Sequence, residues 1–189
     1  VGGARGAPAT GLGGRDGGGE ALRYFVSGTM TNEDAVLPND NEKRSVIRGN
    51  FTFSPISTLL VSWNTSYTKD EISNTAAGNN AHGLTLNAYR RDRNYKSDDR
   101  KVVVDSLLNQ SITSEIDHLI SGGSVSWSPI TNMTNKLTIG YDLAQIDNRN
   151  ERPFGFVSAP TGIIMSAMMR AGCGMVCKTA IASWPLTAA

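Results

Sequence analysis

A chain of 189 residues that is 39% hydrophobic and 19% charged suits a single domain, and nowhere does it hold the run of about 20 apolar residues that a membrane-crossing helix needs. Its 18 basic and 17 acidic residues leave a formal charge of +1, which excludes wholesale binding to a nucleic-acid polyanion. The two cysteines, Cys173 and Cys177, lack a second pair or a neighbouring histidine, so no metal site is expected, and no cofactor motif stands out.

The chain begins at Val1, without an initiator Met or a basic-then-apolar leader, so it reads as processed or as a piece of something longer. Residues 1–19 carry nine of the 20 glycines and little apolar material. Such a segment cannot offset the entropy of ordering and is predicted to be a flexible arm. Gly11-Leu12-Gly13-Gly14 has no strand before it and no Lys-Ser/Thr after it, which favours a linker over a phosphate loop.

Residues 20–157 alternate. Over 22–31, Leu22, Tyr24, Val26 and Met30 are apolar while Arg23, Ser27, Thr29 and Thr31 are polar, with Phe25 as the exception. Side chains of a strand point to opposite faces in turn, so one face is apolar and the other wet. After a polar loop over 31–43, Ile47, Gly49, Phe51 and Phe53 oppose Arg44, Arg48, Asn50 and Thr52. Leu59, Val61, Trp63 and Tyr67 then oppose Ser62, Asn64, Ser66 and Thr68. A fourth strand is predicted over 118–128, with Leu119, Val125 and Trp127, and a fifth over 136–144, with Leu137, Ile139, Tyr141 and Leu143. The element Phe53-Ser54-Pro55-Ile56 recurs as Trp127-Ser128-Pro129-Ile130, an internal repeat in which Ser-Pro-Ile is read as the turn of a hairpin.

Each strand holds about the ten residues that a tilted strand needs to cross a bilayer, and tight turns alternate with long polar connections at 31–43 and 69–115. The expected fold is therefore all-β: an antiparallel up-and-down meander of about five strands, a sector of a transmembrane β-barrel with long outer loops and flexible ends. A soluble β-sandwich, acting as an adhesion or glycan-binding module, would bury the same alternating residues between two sheets. From 158 onward Asp, Glu and Asn vanish, while four of the six methionines and both cysteines appear. This tail is expected to lie outside the barrel, as a foreign or frame-shifted end, with a short apolar helix over 163–169 or a genuine cap as the alternatives.

Leu22-Arg23-Tyr24-Phe25-Val26-Ser27-Gly28, Arg48-Gly49-Asn50-Phe51-Thr52-Phe53-Ser54-Pro55, Asn79-Asn80-Ala81-His82-Gly83 and Leu137-Thr138-Ile139-Gly140-Tyr141-Asp142 resemble barrel segments of TonB-dependent outer-membrane receptors of the SusC/RagA-like branch. The likeness covers residues 20–157. It implies a barrel of about 22 strands with a plugged lumen, in the outer membrane of a Gram-negative-type cell, importing a metal chelate, cobalamin or a glycan without enzymatic chemistry. The partners it implies are the remainder of the barrel and its plug, outer-membrane lipid, the TonB complex, a surface lipoprotein and a small-molecule or glycan ligand. Five strands cannot close a barrel, and neither a plug nor a final aromatic strand is found, so the chain is expected to be a fragment; a truncated frame without independent activity is the further alternative.

No nucleophile elbow or zinc helix accompanies His82 and His118, and on a strand Asp117 and His118 point to opposite faces. Catalytic residues are therefore not assigned. Asp34, Asn39, Asp40, Asn41 and Glu42 offer calcium-type oxygens at the wrong spacing, and solvated turn chemistry accounts for them. The candidate ligand site is Tyr89, Arg90, Arg91, Arg93 and Tyr95, whose guanidinium forks and ring faces suit an anionic or sugar-like ligand. A solubilising charge run balanced by Asp98 and Asp99 explains the same residues. Arg44 and Arg48 are expected to face the lumen, along a solute route or paired with a plug, and Trp63, Tyr67, Trp127 and Tyr141 to face lipid.

Overall fold

The computed structural model describes residues 9–77, 83–89, 107–130, 132–156 and 159–182. Seven strands follow one another: β1 (Ala9–Gly18), β2 (Leu22–Asp34), β3 (Asn41–Ile56), β4 (Leu59–Asn74), β5 (Ser111–Ile130), β6 (Met133–Arg152) and β7 (Ile163–Ala182), with one short helix, α1 (Leu84–Tyr89), between β4 and β5. They form one antiparallel sheet in sequence order, an up-and-down meander. No described helix is long and apolar enough to cross a membrane.

Two strands arise where none was expected. The predicted flexible arm supplies β1, paired from Ala9↔Asn32 to Gly18↔Arg23. The predicted tail supplies β7, in register with β6 from Arg152↔Ile163 to Met133↔Ala182, so residues 163–169 are strand and not helix. The physical reason is common to both: a ladder is made by backbone groups and does not require alternating side chains. β1 has glycine at Gly11, Gly13 and Gly17, and β7 carries Ile163, Met165, Met169 and Met175 on the side that continues the polar row of β6, so neither displays the period-two contrast by which the central strands are recognised.

Both Ser-Pro elements also act differently from the expectation. Pro55 and Pro129 lie inside β3 and β5, where the register shifts between Phe53 and Ile56 and between Trp127 and Ile130. They are bulge positions, and the chain reverses beyond them, at 57–58 after β3 and between the paired Ile130 and Met133 after β5. A bulge leaves one residue out of the ladder, which is where a residue without an N–H fits. The preceding serines keep the repeat equivalent: Ser54 N–H donates to Ala21 O at 2.7 Å and Ser128 N–H to Thr58 O at 2.8 Å, each reaching the neighbouring short turn.

Short connections at 19–21, 57–58 and 131–132 lie at one end of the sheet, and the longer ones at 35–40, 75–110 and 153–162 at the other. The strands overrun the predicted ten residues, reaching 20 residues in β5, β6 and β7. The predicted loops 31–43 and 69–115 are correspondingly shorter.

A second layer over the sheet is absent among the described residues. Leu22 is 45%, Tyr24 41%, Val26 40%, Trp63 49% and Trp127 50% exposed. A sandwich would have buried these side chains, so the two-sheet alternative is set aside. The accessible surface, 13613 Å², exceeds by about half the ~8,700 Å² that a compact monomer of 20.2 kDa presents. Among the described residues, the buried apolar ones are Ala76, Leu107, Phe156 and Ala159, all in the long connections and none in a strand.

Candidate functional site

Register sorts the side chains into two faces. On one, Tyr24, Phe51 and Trp63 stand side by side, as do Leu22, Phe53, Val61, Val125 and Leu137 in the next row. Phe51 and Trp63 stack with ring centroids 5.6 Å apart. The Phe51 ring also covers Gly49, where a side chain would meet it. Along β4 the apolar stretch runs from Leu59 to Tyr67 and ends at Lys69 and Glu71. Eight strand steps cover about 27 Å, or ~20 Å along the normal at a ~40° tilt, comparable with the ~25 Å apolar band of outer-membrane barrels. Trp63, Tyr67, Trp127 and Tyr141 all lie on this face. Beyond its edge Tyr67 donates to Asp117 Oδ1 at 2.6 Å, and Lys69 pairs with Glu71 at 3.1 Å.

The opposite face is rich in hydroxyls and amides: Ser27, Thr29, Thr31, Asn50, Thr52, Ser62, Asn64, Ser66, Thr68, Ser124 and Thr138. Ser62 and Ser124 hydroxyls share a hydrogen bond at 2.8 Å. His118 meets Asp142 Oδ1 at 2.7 Å through Nε2, on the face opposite to Asp117, so the Asp117–His118 neighbours in sequence form no joint site.

Arg44 and Arg48 both project on this hydroxyl face but differ in surroundings. Arg44 donates through Nε at 2.9 Å and Nη2 at 2.7 Å to Asp70 Oδ2, and Nη2 also meets Glu42 Oε1 at 2.9 Å. Asp70 is 4% exposed, and its Oδ1 has no partner among the described residues. Sequence reading missed Asp70, because only the β3–β4 register sets it opposite Arg44. Arg48, by contrast, lies between Ser27 and Ser66 in its row.

The long connections are tied together beyond this face. Asn39, at φ 66°, donates through Nδ2 to Leu108 O at 2.9 Å. Thr75 N–H donates to Asp40 Oδ1, and the Thr75 hydroxyl donates to Pro38 O. Leu107 packs with Phe156 and Ala159, and the Arg152 guanidinium lies 5.6 Å from the Phe156 ring centre. The Asn39–Asp40 segment thus performs turn and capping work. Of the candidate ligand cluster, Tyr89 closes α1, whereas Arg90, Arg91, Arg93 and Tyr95 lie outside the described residues, as does His82. The role of Phe156 was hidden in sequence, since a lone aromatic in a loop shows no periodicity.

No protein-family model matches the chain, and no curated protein matches it. Solved structures do. The RagAB peptide importer in its closed-closed state superposes with a TM-score of 0.71 at 16% identity, over 92% of this chain and 22% of that one. The RagAB peptide transporter gives 0.72 at 17% identity, over 92% and 22%. The open-open state of the importer gives 0.72 at 18% identity, over 92% and 21%. The chain spans about a fifth of the length of these importer chains. It has the fold of a seven-strand sector of a RagAB importer chain.

Proposed function

We propose that this chain is a wall sector of a TonB-dependent outer-membrane importer, acting by binding and translocation and not by covalent chemistry. The apolar face meets hydrocarbon, and the hydroxyl face lines the lumen. The observation that carries the reading is the single-layer sheet whose apolar face has no protein against it among the described residues, with brief turns at one end and longer connections at the other. In this reading β1 and β7, the two edges, continue into further strands of the barrel. Left open in lipid, each unpaired backbone group would cost several kcal/mol.

The substrate class follows the RagAB likeness: peptides, in place of the metal chelates, cobalamin or glycans expected from sequence. The partners are the rest of the barrel, a plug, the TonB complex and a surface lipoprotein seated over the long-connection end. The test uses the full-length gene product that carries this sector. It is expected in the outer-membrane fraction, extracted only by detergent, with heat-modifiable migration on gels, and its loss should abolish TonB-dependent peptide uptake. Recovery in the aqueous phase as a cooperatively unfolding domain would refute the reading.

A further inference from the structure

The two arginines of β3 on the hydroxyl face are four residues apart, about 13 Å along a strand, and only Arg44 is neutralised among the described residues. Arg44 is held by Asp70 and Glu42 at the long-connection end, past the point where Lys69 ends the apolar band. Arg48 lies deeper, level with Gly49 and Thr65 of that band. Its direct neighbours across the ladder are Ser27 on β2 and Ser66 on β4. Asn50 follows two residues along the same strand, and Asn64 stands opposite Asn50. Of the carboxylates on this face, Asp70 and Glu42 are engaged by Arg44 and Asp142 by His118, and Asp16 on β1 stands two strands away and one row off.

We propose that Arg48, flanked by the Ser27 and Ser66 hydroxyls, is a carboxylate-binding subsite of the lumen wall, whereas Arg44 is a structural cation. A guanidinium presents a planar fork that matches the two oxygens of a carboxylate, and charge-assisted bonds of this kind are about twice as strong as neutral ones. Hydroxyls on both sides add donors that turn freely toward the same anion. The ligand group is the carboxylate of a peptide: its C-terminus, or an acidic side chain. The assignment rests on the importer reading above, which sets the hydroxyl face toward the lumen.

The test measures binding to the full-length protein in detergent, by fluorescence anisotropy. The probes are one fluorescently labelled alanine tripeptide with a free C-terminal carboxylate and the same peptide with a C-terminal amide. The wild type is expected to prefer the carboxylate form by tenfold or more. Arg48→Gln should erase that preference by weakening the acid form alone, Arg48→Lys should retain part of it, and Arg44→Gln should leave it intact. An unchanged preference in Arg48→Gln, or equal weakening of both forms, would overturn the subsite. So would a wild type that binds neither form. The barrel reading is judged separately by outer-membrane fractionation and heat-modifiable migration, so either idea can fail without the other.

Discussion

Replacing Ile139 with arginine tests the sidedness of the wall at one residue. Ile139 lies on the apolar face, 51% exposed, in a stretch of β6 that runs from Leu137 to Leu143 and is bounded by Asn135 and Gln145. It is thus well inside the apolar band, and its cross-strand neighbours are Gly123 and Val176. On the proposed importer reading a guanidinium there replaces contact with hydrocarbon, which costs about 2–4 kcal/mol near a bilayer midplane. That corresponds to an approximately 30- to 700-fold fall in the ratio of folded to unfolded protein. Thr138, one residue earlier, points to the hydroxyl face, so Thr138→Arg should cost about 1 kcal/mol or less. The measurement is equilibrium unfolding in guanidinium of the full-length protein refolded into phospholipid vesicles, followed by tryptophan fluorescence. Equal losses from both substitutions, or a larger loss from Thr138→Arg, would refute the assignment of faces.

Two further outcomes follow from the outer end of the sheet. Asp70→Ala removes the acceptor of two Arg44 hydrogen bonds; since Arg44 is half exposed and one Asp70 oxygen is unpartnered, the loss should be about 1 kcal/mol, against less than ~0.5 kcal/mol for Glu42→Ala, by the same unfolding assay. Phe156→Ala empties the most buried side chain and should weaken the packing of Leu107 and Ala159 by about 3 kcal/mol. Limited proteolysis should then cut within 75–110 or 153–162 at least tenfold faster, while the melting of the strands is unchanged. A global fall in stability would show that this cluster supports the sheet itself.

The central strands were legible because their side chains must satisfy two media at once. Tyr24, Phe51, Trp63 and Ile139 alternate with Ser27, Asn50, Asn64 and Thr138, and that contrast reveals strand, face and turn end without coordinates. The outer strands were not legible, since Gly11 and Gly13 offer no side chain to compare, and in β7 Arg170 shares a side with Met168 and Val176 while Met165, Met169 and Met175 take the other. Ser54-Pro55 and Ser128-Pro129 announced a break in the ladder, yet proline's missing N–H suits a turn and a bulge equally, and only the register separates them. The candidate cluster at 89–95 owed its selection to charge density alone, and its residues from Arg90 onward lie outside the described structure.

From sequence alone came the all-β class, the meander, the two faces and the common end of the tight turns, because period-two alternation and proline chemistry are local properties of the chain. Tertiary structure decided which polar groups meet. The join of Arg44 to Asp70, the solitary position of Arg48 and the contact of Leu107 with Phe156 depend on strand register and loop docking, which link residues far apart in sequence. It also decided that, among the described residues, no protein layer lies against the apolar face, since alternation prescribes that one side must leave water but does not specify whether protein or lipid receives it.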